Sequence, residues 1–374
     1  MKRTLVVPVV CASWKAARYC AFRLAGRRVR GGETMAIIST AAKPRKWRIL
    51  VLIARFVFRL AAIAFAGWFA LAAFYQAPST WKWPIIAAGF LVGLIAILTV
   101  RRRLLFAGVL LLAAMLAVSY WWTGIKPSNN REWAADVAHG VTATITGDQI
   151  ILHNVRNFQW RTTEDFDPFW QTEQYDLATL RSVDLLNSVW SNPAIAHTLV
   201  SFGFADGRHV VFSAEIRKER GEAFSEIGGF FKEFELVLIA AEESDIVRLR
   251  TNIRRETVSL YPLRVSPQIA RALFLSYLEK ANALAAQPEF YQTITANCTT
   301  IVFKLARLID PGIPLDWRII ASGYLPDYLY DRGLIRTDLP LDQVRKQAAI
   351  SSRALAAPAG SDYSRAIRST LDGG

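Results

Sequence analysis

Residues 197–216 read HTLVSFGFADGRHVVFSAEI, two runs rich in β-branched and aromatic residues on either side of Ala205-Asp206-Gly207. The pattern predicts a hairpin of His197–Phe204 with Arg208–Ile216. The length of the loop decides which side chains share a face. A two-residue Asp206-Gly207 turn puts Phe202 and Phe204 on the same face as Ser213 and Glu215, mixing apolar and polar groups. A three-residue loop with Gly207 in the left-handed region shifts the register by one and sorts the faces. One face becomes Thr198, Val200, Phe202 and Phe204 against Val210, Phe212 and Ala214. The other carries His197, Leu199, Ser201 and Gly203 against His209, Val211, Ser213 and Glu215. A one-residue slip would turn every side chain over, so burial selects the second arrangement. It sets Glu215 across from His197, near enough for a carboxylate to orient an imidazole.

A histidine held this way serves a nucleophile, and the cysteines supply one. Cys11 and Cys20 lie in the first 34 residues, and Cys298 is the one thiol in the C-terminal part. An exported thiol with no intramolecular partner is reactive, intermolecular, or a small buried core residue. Asn297 is a favoured N-cap, and Thr299–Ile309 has helical spacing. Cys298 therefore falls in the first turn of a helix, where the dipole and unpaired N–H groups favour a thiolate. Cys298, His197 and Glu215 form a candidate nucleophile, base and orienting group, with His209 as the alternative base or third member. His139 and His153 read as surface residues.

The blocks His153–Phe158, Ala196–Phe204, Phe212–Arg217, Gly228–Phe231, Ala241–Glu243 and Asn297–Thr300, in this order, resemble the Lnb-type N-terminal periplasmic domain family over roughly residues 130–345. The order of His then Cys is also similar to permuted members of the papain-like NlpC superfamily. The resemblance implies an α+β fold, a permuted papain-like domain whose antiparallel sheet packs on helices. It implies His197 as base and Cys298 as nucleophile of thiol acyl-transfer chemistry. The family's name-giving acyltransferase moves an acyl chain within a bacterial lipoprotein, from its glyceryl group to its N-terminal amine.

Charge and hydropathy divide the chain. The formal net charge is +14, yet residues 1–123 hold 18 Lys and Arg against Glu33 alone, and the remainder is slightly acidic. Basic charge outside the large C-terminal part excludes a nucleic-acid-binding domain. Phe56–Tyr75, Pro84–Val100 and Leu104–Trp122 are 20, 17 and 19 residues of mainly apolar sequence, long enough to cross a bilayer. Arg59, one turn inside the first, can snorkel to the headgroups. Lys43, Arg45, Lys46, Arg48 and Arg55 precede the first span and Arg101, Arg102 and Arg103 lie between the second and third, whereas the first loop has only Lys82. Positive charge marks the cytoplasmic side. The N-terminus is then cytoplasmic, Trp81, Trp83, Trp121 and Trp122 line the outer interface, and the C-terminal domain is periplasmic, held at a bacterial inner membrane.

The expected organisation is a basic cytoplasmic tail at 1–48, with Met35 as a second possible start, and three transmembrane helices at 49–123. The periplasmic domain spans 124–345 behind a Lys126–Asn130 linker, and a loosely ordered tail spans 346–374. Further strands are expected in Val141–Asn157, turning at Gly147-Asp148, and in Leu236–Ala240, with a helix over Pro267–Ala286. Glu242, Glu243 and Asp245 with Arg248, Arg250, Arg254 and Arg255 offer an anion or headgroup site, but the favoured reading is a solvated segment of local ion pairs. Trp160, Phe166, Phe169 and Trp170 either line an acyl groove or cover the sheet, and Tyr324, Tyr328 and Tyr330 share that choice. No metal-ligand spacing and no phosphate-binding glycine loop occurs, so no metal and no cofactor is expected. Three function classes follow: a membrane-anchored thiol acyltransferase or hydrolase acting on a lipid or lipoprotein, a cell-wall peptide amidase or peptidase with the same Cys-His site, and a non-catalytic interaction module.

Overall fold

The computed structural model describes residues 45–357 and 363–369; the expectations for Cys11, Cys20 and Met35 lie outside them. The chain forms two compact units, dividing after Trp122.

The first unit is three helices, α1 (Arg45–Gln76), α2 (Lys82–Thr99) and α3 (Leu104–Gly124). All three are long and apolar enough to cross a membrane; even the 18 residues of α2 give about 27 Å of helix. Small residues let α1 and α2 approach closely: a Cβ on Gly93 would touch Ala66 at 3.4 Å, and one on Gly89 would collide with the Phe69 ring. This is how helices associate where lipid removes the hydrophobic drive.

The second unit is built on a sheet of order β1 (Thr142–Thr146), β2 (Gln149–Arg156), β9 (Glu235–Glu242), β8 (His209–Arg217), β7 (Ala196–Phe204), β6 (Leu180–Val189), β10 (Thr257–Pro262), with β5 (Trp170–Asp176) also on β2. The short strands β3 (Gln159–Trp160) and β4 (Phe166–Asp167) pair apart. The sheet is mixed, since β2 runs parallel to β9 and every other pairing in it is antiparallel. The expected β1–β2 and β7–β8 hairpins, the strand at 236–240 and the helix at Pro267–Ala286 are present. Strands β5, β6 and β10 were not foreseen, because Asp184, Asn187 and Ser188 interrupt the apolar pattern of β6.

The β7–β8 register pairs Leu199 with Ser213 and Phe202 with Val210, with Gly207 at φ +86°, as the three-residue loop requires. Its first face packs Val200, Phe202, Phe204, Val210 and Phe212 under two longer helices, α5 (Pro267–Ala286) and α6 (Cys298–Ile309). Phe274 of α5 makes edge-on ring contacts with Phe202, Phe204 and Phe212.

The second face is not wetted by solvent. Leu186, Leu199, Val211, Val237 and Ile239 form a second core with Ile246, Ile350, Ala354, Tyr363 and Ile367. A sheet covered on both sides has fully buried central strands, and every residue of β7 is buried. Two expectations are corrected here. The charged run folds into α4 (Glu243–Arg248) and a π turn (Leu249–Ile253), with Glu243, Asp245 and Arg250 buried rather than solvated. Within the stretch expected to be loose, the described residues form α9 (Ser351–Ala356) and α10 (Tyr363–Arg368) after α7 (Leu325–Asp331) and α8 (Leu341–Ala348).

The partners of these charges lie far away in sequence. Asp245 accepts from Arg156 Nε and Nη2, Phe158 N–H and Trp160 Nε1 at 2.7–3.1 Å. Trp160 and Phe166, with ring centroids 4.4 Å apart, both pack on the buried ring of Phe158. Arg368 of α10 bonds Glu243 at 2.6 and 2.7 Å and Asp184 at 2.7 Å. The Lys126–Asn130 stretch is strapped down too, Ser128 N–H bonding Glu235 and Asn129 bonding the Leu284 carbonyl. Replacing Arg368 by Met leaves two buried carboxylates without their cation and costs about 3–5 kcal/mol. Thermal unfolding of the detergent-solubilised protein checks this; a loose tail would leave the midpoint unchanged.

Candidate active site

At Leu199 and Ser213 the β7–β8 ladder ends, while β8 goes on pairing with β9 to Arg217 and β7 with β6 to Ala196. The two central strands therefore part, and backbone groups of Ala196 and Thr198 lose their β8 partners. The N-terminus of α6 fills the gap. Cys298 Sγ lies 3.9 Å from the Ala196 carbonyl oxygen, and the Thr198 N–H bonds the sulfur. Thr198 and Thr299 hydroxyls meet at 2.9 Å, and Ser322 Oγ accepts from Ala196 N–H and donates to its carbonyl.

Asn297 starts α6 at this point. Its side chain accepts from the Thr300 N–H at 2.8 Å and the Thr300 hydroxyl accepts from the Asn297 N–H at 2.8 Å, a capping box that ends the preceding loop. The thiol of Cys298 is buried in the first turn, where the helix dipole favours negative charge.

His197 stands on the second face, within side-chain hydrogen-bonding reach of the sulfur. Its Nε2 is 2.6 Å from Ser213 Oγ and 3.1 Å from Glu215 Oε1, and the Ser213 hydroxyl donates to Glu215 Oε1 at 2.7 Å. Behind them Arg250 donates from Nη2 to Glu215 and from Nη1 to Glu256, at 3.1 and 3.2 Å, and Glu256 also accepts from the Ser188 hydroxyl.

Electrostatics follow from this order. Burial opposes ionisation of Cys298, but the charge and hydrogen bond of His197 and the Thr198 N–H outweigh it and lower the thiol's pKa. Burial and Arg250 push His197 down, whereas Glu215 and the sulfur push it up, to about 9 in balance. Burial raises Glu215, yet His197, Arg250 and Ser213 hold it well below the usual carboxylate range. These shifts favour a thiolate and an imidazolium backed by a carboxylate over the neutral pair. Burial and the sulfur's charge raise the Tyr277 and Tyr291 hydroxyls, and the Tyr277 hydroxyl is buried with no hydrogen-bond partner among the described residues.

The fold thus brings together Cys298, His197 and Glu215. His209 lies at the other end of the hairpin, its Nδ1 at 3.1 Å from the Gly207 carbonyl and its ring acting on Asp184 and Glu243. His139 packs against Trp170, and His153 meets the Thr144 hydroxyl. Ser213 and Arg250 were missed as site residues: Ser213 was visible on the polar face, but nothing local marks Arg250. Among the described residues no group of three or more His, Cys, Asp or Glu is placed to hold a metal ion.

The family model of the Lnb N-terminal periplasmic domain matches residues 166–323, a range holding all of these site residues. No curated protein and no solved structure matches the chain.

Iodoacetamide reacts with the thiolate, so its rate at Cys298 follows the ion pair. The rate in the wild type is expected to rise with a midpoint below the ordinary thiol value of about 8.5 and to reach a plateau that lasts until His197 titrates near 9. In His197→Gln burial acts without its counterweight, and the midpoint moves above the ordinary value. In Arg250→Gln a cation that lowers the His197 pKa is gone, so the upper limb moves above about 9. Rates measured from pH 5 to 10 in roughly half-unit steps check all three.

Proposed function

We propose that this chain, whose residues 166–323 match the family model of the Lnb N-terminal periplasmic domain, is a thiol acyltransferase or hydrolase anchored in a bacterial inner membrane, its N-terminus cytoplasmic and its domain periplasmic. One observation carries the reading: a buried cysteine at a helix N-terminus has a lowered pKa because it faces a histidine that a carboxylate supports. Cys298 is the nucleophile, His197 the proton carrier, and Glu215, with Ser213, the orienting group. Engagement of Nε2 by Ser213 and Glu215 leaves Nδ1 to serve the thiol.

In the first step the thiolate adds to an ester carbonyl, forming the C–S bond. The carbonyl oxygen takes up the displaced electron pair, stabilised by first-turn N–H groups that the cap does not use. Collapse breaks the C–O bond, and His197 gives its proton to the leaving alkoxide, producing a thioester on Cys298 and a free alcohol. In the second step an amine or water attacks the thioester, His197 accepts its proton, and the thiolate leaves as the amide or acid is released.

The donor proposed is a lipid or lipoprotein acyl group. A groove of about 750 Å3 runs along α6 and includes Thr300 and Ile301 of the cysteine's own first turns. Its walls are mostly apolar, among them Ile294, Phe303, Leu308 and Ile320, which supports an acyl chain over a cell-wall peptide. The non-catalytic reading requires Cys298 and His197 to stand apart, and their mutual effect on ionisation speaks against it.

Incubation with a diacylglyceryl lipopeptide or a phospholipid is expected to add one hydroxylamine-labile acyl mass to the Cys298 peptide. Cys298→Ala abolishes the adduct, and His197→Ala slows its formation by roughly 10²–10⁴-fold. No adduct from any lipid donor, together with cleavage of a cell-wall peptide, would favour the amidase instead.

A further inference from the structure

The second unit carries an apolar surface beside α6 that its own fold leaves uncovered. Leu308, Leu315 and Trp317 are 71%, 77% and 63% exposed. Leu308, Leu315, Ile294 and Ile320, all exposed, line the groove along α6. The surface extends past the groove at both ends. The Thr293 hydroxyl bonds the Glu226 carbonyl, which sets exposed Ile227 next to Ile294. The Gly323 N–H bonds the Ala194 carbonyl, which sets exposed Ile195 beside the segment of Ile320. Ile195 directly precedes Ala196, whose carbonyl faces the cysteine sulfur. A soluble domain rarely leaves so continuous an apolar surface open.

The one carboxylate lining the groove among the described residues, Glu289, is matched to Lys280 at 2.6 Å, and the remaining charges along it are basic. Lys304 and Arg307 line the groove, and among the described residues each donates to a backbone carbonyl, of Thr295 and Pro311, and to no carboxylate. Several exposed arginines elsewhere on the domain are matched to carboxylates, Arg161 to Asp165 and Asp167, Arg208 to Asp206, and Arg336 to Asp338. Trp, Ile and Leu side chains flanked by unmatched cations are the composition of a surface that enters the headgroup region of an anionic bilayer. The chain also supplies proximity: α3 ends at Gly124, and the domain already holds Ile125 through Lys232. A surface on so short a tether meets the bilayer at high effective concentration, so modest affinity suffices.

We infer that the face formed by the α6 groove, Ile227, Leu315, Trp317 and Ile320 docks on the lipid surface, with Lys304 and Arg307 against anionic headgroups. This placement rests on exposure and charge and holds whatever reaction Cys298 performs. Docking delivers the cysteine to the depth at which an ester carbonyl meets its acyl chain.

The test uses the full chain in nanodiscs containing phosphatidylglycerol, with Cys11, Cys20 and Cys298 changed to Ser. Single cysteines Leu308→Cys, Leu315→Cys and, as controls on other faces, Ile145→Cys and Ile269→Cys carry an environment-sensitive fluorophore. Labels at 308 and 315 are expected to shift to the blue and to be quenched by lipids bearing a shallow nitroxide, while those at 145 and 269 are not. Equal quenching at all four sites, or at none, overturns the inference. Disulfide cross-linking between 315 positions of two chains without lipid quenching also overturns it and assigns the face to a second copy. With Cys298 retained, Ile227→Glu/Trp317→Glu is expected to slow alkylation of Cys298 by a bilayer-resident long-chain chloroacetamide by roughly tenfold or more, while soluble iodoacetamide reacts as before. An inert thiol that nonetheless docks would refute the proposed chemistry and leave this inference standing.

Discussion

Beyond Leu199 and Ser213 two central strands cease to bond one another, and the backbone groups released there are taken up by Ser322 and by the first turn of α6. Nearly everything else in the domain follows from that junction. A paired β7 and β8 would leave no opening for the thiol. A junction filled by an apolar residue would leave the Thr198 N–H without an acceptor, at a cost comparable to a lost hydrogen bond. Cys298 satisfies the backbone and presents its sulfur to the next residue of the same strand, His197. The capping box at Asn297 keeps the helix from starting a residue earlier or later.

The second face of the sheet is held by charge. Three buried or nearly buried guanidinium groups, those of Arg156, Arg250 and Arg368, reach carboxylates on other elements. Removing such ions from water is expensive, and their value lies less in net stability than in the penalty for any arrangement that separates them. Arg250 is the one tied to the cysteine. It holds the Glu215 carboxylate ionised and pushes the His197 pKa down against the upward pull of Glu215 and the sulfur, leaving it at about 9. The π turn that carries Arg250 belongs to a class of helix irregularity common at functional positions.

Thiol chemistry and a lipid surface make compatible demands. A thiolate survives burial only with a fixed counter-charge, and the low dielectric that makes it costly also strengthens its pairing with His197. On the proposed reading, an acyl chain would bring its own apolar surface to the groove beside α6, and its binding need not admit water to the pair.

The sequence by itself determined the three apolar spans, the β7–β8 register and the position of Cys298 at a helix start. Each is a local matter: span length is counted, Gly207 alone can take the left-handed turn at no steric cost, and Asn297 caps whatever helix follows it. The fate of Glu243, Asp245 and Arg250 and of the chain's end was decided only by tertiary structure. A run of charges looks the same whether water or a distant partner satisfies it. Asp245 meets Arg156 across 89 positions, and Arg368 meets Asp184 across 184. Neither separation leaves a trace in spacing or periodicity, and a short Ala- and Ser-rich segment cannot show that it covers a sheet. Burial of both sheet faces, and with it the low dielectric that gives Cys298 and His197 their coupled ionisation, exists only once those distant charges have met.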